Sequence, residues 1–102
     1  MALVLFVFSG LISAGPSYLT GEITNFTSSS AGIGIMLSTG VPDNCEGVSY
    51  NWMTIRKEDT AMITLTLSMY HAGIKKVTVY TEDKNNNNGR CFINQIDPSE
   101  NS

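Results

Sequence analysis

At 102 residues, 42% of them hydrophobic and 15% charged, the chain has room for one core and too much apolar content to be disordered over most of its length. Its net charge of −3, with six Lys and Arg scattered apart from the adjacent Lys75 and Lys76, supplies no broad positive field. Nucleic acid and anionic membrane surfaces are therefore not expected as partners.

The chain begins with an apolar run, Ala2 to Ile12, that holds no charged side chain. It is too short to cross a bilayer, which needs about 20 apolar residues, and it matches the apolar region of a signal peptide. Ile12-Ser13-Ala14 ahead of Gly15 places a small residue before a cut, so residues 1–14 read as a signal peptide, with the cut falling as late as residue 17 at the outside. No Lys or Arg precedes the run, which departs from the usual pattern, and a buried first strand is the alternative. The expectation is an exported protein, periplasmic or secreted, with no stable membrane insertion after cleavage and one domain over residues 15–102.

Export makes a disulfide the natural state of the two cysteines, and two cysteines allow one intramolecular pairing, Cys45 with Cys91. Closing a loop of about 47 residues is worth roughly 4 kcal/mol in the chain-entropy model, a large share of the stability of so small a domain. Two distant Cys and one His lack the spacing of a zinc site, and neither a metal nor a cofactor is expected.

Six elements follow in order. Tyr18 to Phe26 reads as a strand, with Thr27-Ser28-Ser29-Ser30 as its turn. From Ala31 to Thr39, Ile33, Ile35 and Leu37 alternate with Gly34, Met36 and Ser38, a second strand whose glycines point to curvature or close backbone approach. Gly40 to Gly47 is a long connection. A third strand spans Val48 to Arg56, with Met53 and Ile55 on one face and Tyr50, Trp52 and Thr54 on the other. Between Asp59 and Tyr70, Met62, Leu65 and Met69 recur at helical spacing, with Asp59 or Thr60 as the cap at the start and Gly73 at the end. Lys75 to Tyr80 alternates as a fourth strand, the run Asn85 to Asn88 with Gly89 turns the chain, and Arg90 to Ile96 is a fifth strand ended by Pro98. The order β-β-β-α-β-β is that of an OB-fold, a mainly β, five-stranded Greek-key barrel with a helix between strands three and four; a split α+β sandwich is the alternative.

Gly21-Glu22-Ile23, Cys45-Glu46-Gly47, Trp52-Met53-Thr54-Ile55, the Met-rich helix leading into Ala72-Gly73-Ile74-Lys75-Lys76-Val77, and Gly89-Arg90-Cys91-Phe92-Ile93 together resemble small exported bacterial proteins similar to the subtilase cytotoxin B subunit. The resemblance covers most of the mature chain. It implies an OB-fold, assembly as a homo-pentamer and binding of cell-surface glycans. The toxin's sugar-binding positions do not map onto particular residues here, so none is carried over.

Catalytic groups are sparse. His71 is the only histidine and sits near the expected helix C-terminus, and the pairs Glu58-Asp59 and Glu82-Asp83 are adjacent residues at element ends. No enzyme is expected. Asp83, Asn85 and Asn87 follow the first oxygen positions of a calcium loop, but Gly89 comes one residue late and Asn94 stands in place of the terminal Glu. Asn25-Phe26-Thr27 is a formal glycosylation sequon. The feature that points to a ligand is aromatic: Tyr50 and Trp52 on strand three, extended by Tyr80 on strand four, form the kind of flat, polar-tipped platform that takes sugars. The alternative is that Trp52 fills a second small core under the helix or a subunit seam. The two functional readings are a toxin-B-like glycan-binding module and a periplasmic or secreted interaction or inhibitor protein acting through an exposed surface or strand edge.

Overall fold

A computed structural model describes residues 16–99, so the signal peptide expected over residues 1–14 lies outside the described residues. The elements are β1 (Tyr18–Ser29), β2 (Gly32–Leu37), β3 (Met53–Arg56), α1 (Thr60–His71), β4 (Lys76–Thr81) and β5 (Ile93–Pro98). Short 3-10 turns occupy Asp43–Cys45, Ser49–Asn51 and Lys84–Asn86. The strands form one antiparallel sheet in the order β3-β2-β1-β4-β5. The mainly β class, the five strands and the single helix between the third and fourth are as the sequence predicts, and they fit an OB-like arrangement.

The barrel itself is not closed. The two outer strands approach through one parallel bridge, Thr54 with Phe92, in which the Thr54 N–H donates to the Cys91 carbonyl at 2.8 Å. The reason lies in the ladders: β3 is four residues long, and the β4–β5 ladder starts only at Thr81 with Ile93. Arg90 to Phe92, expected at the start of the last strand, are spent on the disulfide and this bridge. Helix α1 packs on both β3 and β5, across the unclosed seam.

Central β1 is shared between two neighbours. Tyr18 to Glu22 pair with β4, Asn25 to Ser29 pair with β2, and a bulge lies between Ile23 and Asn25. The expected Thr27–Ser30 turn is therefore mostly strand, and the hairpin turns at Ser30 and Ala31. Asn25 of the sequon is exposed at the bulge.

Alternation sorts the strands into a core face and a solvent face. Ile23, Ile35, Met53, Ile55, Val77, Val79, Ile93 and Ile96 are buried together, each burial worth about 1.5–3 kcal/mol against exposure. In α1 the core-facing stripe is buried Thr66 and Met69 with partly buried Met62, Ile63 and Tyr70, not Met62, Leu65 and Met69: Leu65 is 45% exposed and Thr66 fully buried. Thr66 belongs in the core because its hydroxyl donates to the Met62 carbonyl one turn back, at 2.8 Å, so no polar atom is left orphaned. The helix ends as predicted at Gly73, whose φ of +89° lets the Ile74 N–H reach back to the Met69 carbonyl at 2.8 Å. At the start, the Asp59 side chain makes no capping bond.

Candidate functional site

The long β2–β3 connection is anchored at two points. Asn44 makes a reciprocal pair with Thr81 at the end of β4: its amide donates to the Thr81 carbonyl at 3.0 Å, and the Thr81 hydroxyl donates to its Oδ1 at 2.6 Å. Beside it, Cys45 is bonded to Cys91 with a Cα–Cα distance of 5.5 Å, as the cysteine count predicts. Both sulfur-bearing residues are buried. From these anchors the chain runs through Gly47 and the Ser49–Asn51 turn into β3.

That turn changes the aromatic platform. Tyr50 and Asn51 both hold left-handed backbones, φ +53° and +59°, so the chain does not alternate from Val48 onward and β3 starts at Met53. Tyr50 is thrown out to 82% exposure instead of sharing a strand face with Trp52. Trp52, partly buried, keeps the position expected of it, on the face away from Met53 and Ile55. The sheet makes room for its ring: a Cβ at Gly34 would lie 3.3 Å from Cε3 of Trp52 and 2.8 Å from Cγ2 of Thr27. The indole thus lies over bare backbone, which answers the sequence-level expectation of close approach at a β2 glycine.

Beside Trp52 lies a recess of about 330 Å³. Val48, Ser49 and Trp52 come from the β2–β3 connection, Arg90 and Cys91 from the β4–β5 connection, and Thr54 from β3. Tyr80 does not line it. Tyr80 instead sits on β4 with its ring centroid 6.0 Å from that of Tyr18, and the two strands also share a Thr20–Thr78 hydroxyl bond of 2.7 Å. Of the three aromatic residues predicted to share a face, only Trp52 lines the recess.

The remaining candidates serve the fold. Glu82 receives a forked contact from Arg56, Nη1 to Oε2 at 3.1 Å and Nη2 to Oε1 at 2.8 Å. That hydrogen bonding, with charge attraction added, holds the Glu82 carboxyl below its ordinary range and raises the Arg56 guanidinium, in both cases against desolvation. The Phe92 ring centroid lies 4.0 Å from Cζ of Arg56. The Asp83 Oδ1 accepts the Asn85 N–H at 2.9 Å and the Asn87 side-chain amide donates to the Asp83 carbonyl at 3.0 Å, so Asp83 and Asn87 of the calcium-like pattern brace their own turn, while the Asn87 Oδ1 accepts from Arg56. His71 is exposed at the end of α1. Among the described residues no cluster of His, Cys, Asp or Glu is placed to hold a metal ion, and no helix is long and apolar enough to cross a membrane.

Comparison with protein-family models, curated proteins and solved structures finds no match. The functional reading therefore rests on the recess and its lining. Sequence reasoning missed Arg90 and Ser49 as pocket residues and missed the Asn44–Thr81 pair. For Arg90 and Asn44 the one available signal is proximity to the cysteines, since Arg90 precedes Cys91 and Asn44 precedes Cys45.

Proposed function

We propose that the protein is an exported, non-catalytic binding module and that the recess beside Trp52 takes a sugar ring of a glycan. The observation that carries this reading is the make-up of the recess: one large indole with the hydroxyl-bearing Ser49 and Thr54 and the guanidinium-bearing Arg90 around a volume of about 330 Å³. That volume lies at the lower end of the size range of small-ligand sites, and polar groups make up more of the lining than apolar ones. A flat ring buries the apolar face of a sugar while the polar groups meet its hydroxyls. The disulfide is compatible with an oxidising compartment. Resemblance to the toxin B subunit adds the cell surface as the place of the glycan and a ring of five as the assembly.

A glycan array probed with the oxidised protein tests this, with Trp52→Ala alongside. The expected outcome is binding to a restricted set of glycans that falls at least about tenfold in the variant, the loss typical of a central aromatic contact. Absence of binding across the array, or equal binding by the variant, overturns the assignment. Light scattering on non-reduced protein checks the assembly: a pentamer supports the ring and a monomer removes it.

A protein ligand is the second reading, favoured by the incomplete seam. Strand β5 lies at one end of the sheet with β4 as its ladder partner, and apart from the Thr54–Phe92 bridge beside it no ladder joins its other edge to β3, the seam that α1 packs across. Co-purification of one stoichiometric protein partner would favour it over the glycan.

A further inference from the structure

We propose that the Cys45–Cys91 disulfide is a redox latch on the Trp52 recess: the recess is formed in the oxidised protein and lost in the dithiol form, with the sheet retained. The inference follows from where the bond sits. Two connections supply most of the recess, one giving Val48, Ser49 and Trp52 and the other Arg90 and Cys91, with Thr54 of β3 between them. The disulfide is the covalent link between those two connections. Thr54 N–H to the Cys91 carbonyl and the reciprocal Asn44–Thr81 pair are the hydrogen bonds that back it up.

The strands do not depend on it in the same way. The buried set Ile23, Ile35, Ile55, Val77, Val79 and Ile96 belongs to the ladders, which pair β1 with β2 and β4, β2 with β3, and β4 with β5. On the recess side, Tyr50 and Asn51 hold two consecutive left-handed backbones, a conformation that persists only while its surroundings enforce it. Cutting the link releases that segment first. Regions of low contact density open before the ladders do. Both cysteines are buried, with Cys91 beside the recess, so a reductant reaches the bond as this end of the molecule opens.

The chemistry is ordinary thiol–disulfide exchange. A dithiol reductant such as dithiothreitol attacks one sulfur as its thiolate, forming a mixed disulfide and expelling the other cysteine as a thiolate that takes up a proton. Its second thiol then displaces the first cysteine, leaving two protein thiols and one oxidised, cyclic reductant. Reoxidation runs the same exchange in reverse against a disulfide-form oxidoreductase.

The functional consequence rests on the ligand reading, but the latch is tested without any ligand, because Trp52 is the only tryptophan of the chain. Reduced protein, with both thiols verified by alkylation and mass, is compared with oxidised protein by Trp52 fluorescence, acrylamide quenching and far-ultraviolet circular dichroism. A Cys45→Ser/Cys91→Ser double variant is measured in parallel. The expected result is a red-shifted emission and quenching that rises towards that of free indole, while the circular dichroism of the sheet is unchanged. Loss of the circular dichroism together with the emission shift would make the disulfide a global staple and overturn the latch. Unchanged Trp52 emission and quenching in both reduced and double-variant protein would overturn it equally. Failure of the glycan reading is seen separately, on the array, with oxidised protein.

Discussion

Arg56 shows how one side chain holds together parts of the chain that the sheet leaves apart. It projects from β3, grips Glu82 just beyond β4, lies against the ring of Phe92 just before β5, and reaches Asn87 at 3.4 Å. Both members of the pair are about one-third exposed, so solvent screens their attraction and the fork contributes about 1 kcal/mol at most. Its pH dependence has a definite sign. The folded protein holds Glu82 below the ordinary value of 4.5, so the contribution is whole above that value and disappears as pH falls through the lowered pKa. Glu82→Gln should lower stability by up to about 1 kcal/mol at neutral pH and remove this part of the acid sensitivity. Urea midpoints of the two proteins at neutral pH and below the carboxylate range check it; parallel acid limbs would contradict it.

At the scale of elements, α1 is held by what it packs against rather than by its composition. Thr60, Thr64, Thr66 and Ser68 are poor helix formers, and the stripe of Met62, Ile63, Met69 and Tyr70 supplies the stability that propensity does not. Tyr70 also meets Phe26 of β1 edge to face, with centroids 4.8 Å apart. Two substitutions separate the stripe from the cap. Leu65→Lys, on the exposed side, should change the thermal midpoint little, whereas Gly73→Ala puts a Cβ on a left-handed backbone and should cost about 1–2 kcal/mol. The same element marks what could be read from the sequence and what could not. Period-2 alternation located β2 and β4 to within a residue or two because Ile33, Ile35, Leu37, Val77 and Val79 each face the core in turn. Helical spacing located α1, but it chose Leu65 over Thr66, since hydropathy does not register a hydroxyl satisfied by its own helix. The late start of β3 was hidden because Tyr50 and Asn51 look compatible with a strand and their positive φ is imposed by the tertiary setting. Trp52, which lines the recess, was picked out from its residue type. Arg90, about 40 residues on, was not, because its segment is brought to the same place by the disulfide, the Thr54–Phe92 bridge and the Arg56 contacts, none of which local pattern shows.

For the molecule as a whole, a small core makes each buried side chain and the single cross-link count heavily. Ile55→Ala should cost about 2–5 kcal/mol, because its side chain is fully buried among β2 and β3 neighbours that cannot collapse onto the space. Reduction of Cys45–Cys91, which spans a sequence separation of 46, should lower the free energy of unfolding by about 4 kcal/mol. Chemical denaturation of oxidised and reduced protein measures it. Combining the two changes should leave little folded protein, given net stabilities of about 5–15 kcal/mol for domains in general.

The divided pairing of β1 bears on time as well as on stability. Its second half finds β2 across a two-residue turn, but its first half waits for β4: Thr20 and its partner Thr78 are 58 residues apart. Closing so long a loop must precede any reward from the contacts it brings, so completion of the sheet is the slow part of folding. In a chain delivered N-terminus first, the strand that opens the domain stays half-paired until almost all of the chain has emerged. A fragment ending before Lys76 would therefore hold β1, β2, β3 and α1 but no finished sheet, and the cysteine pair would close only afterwards.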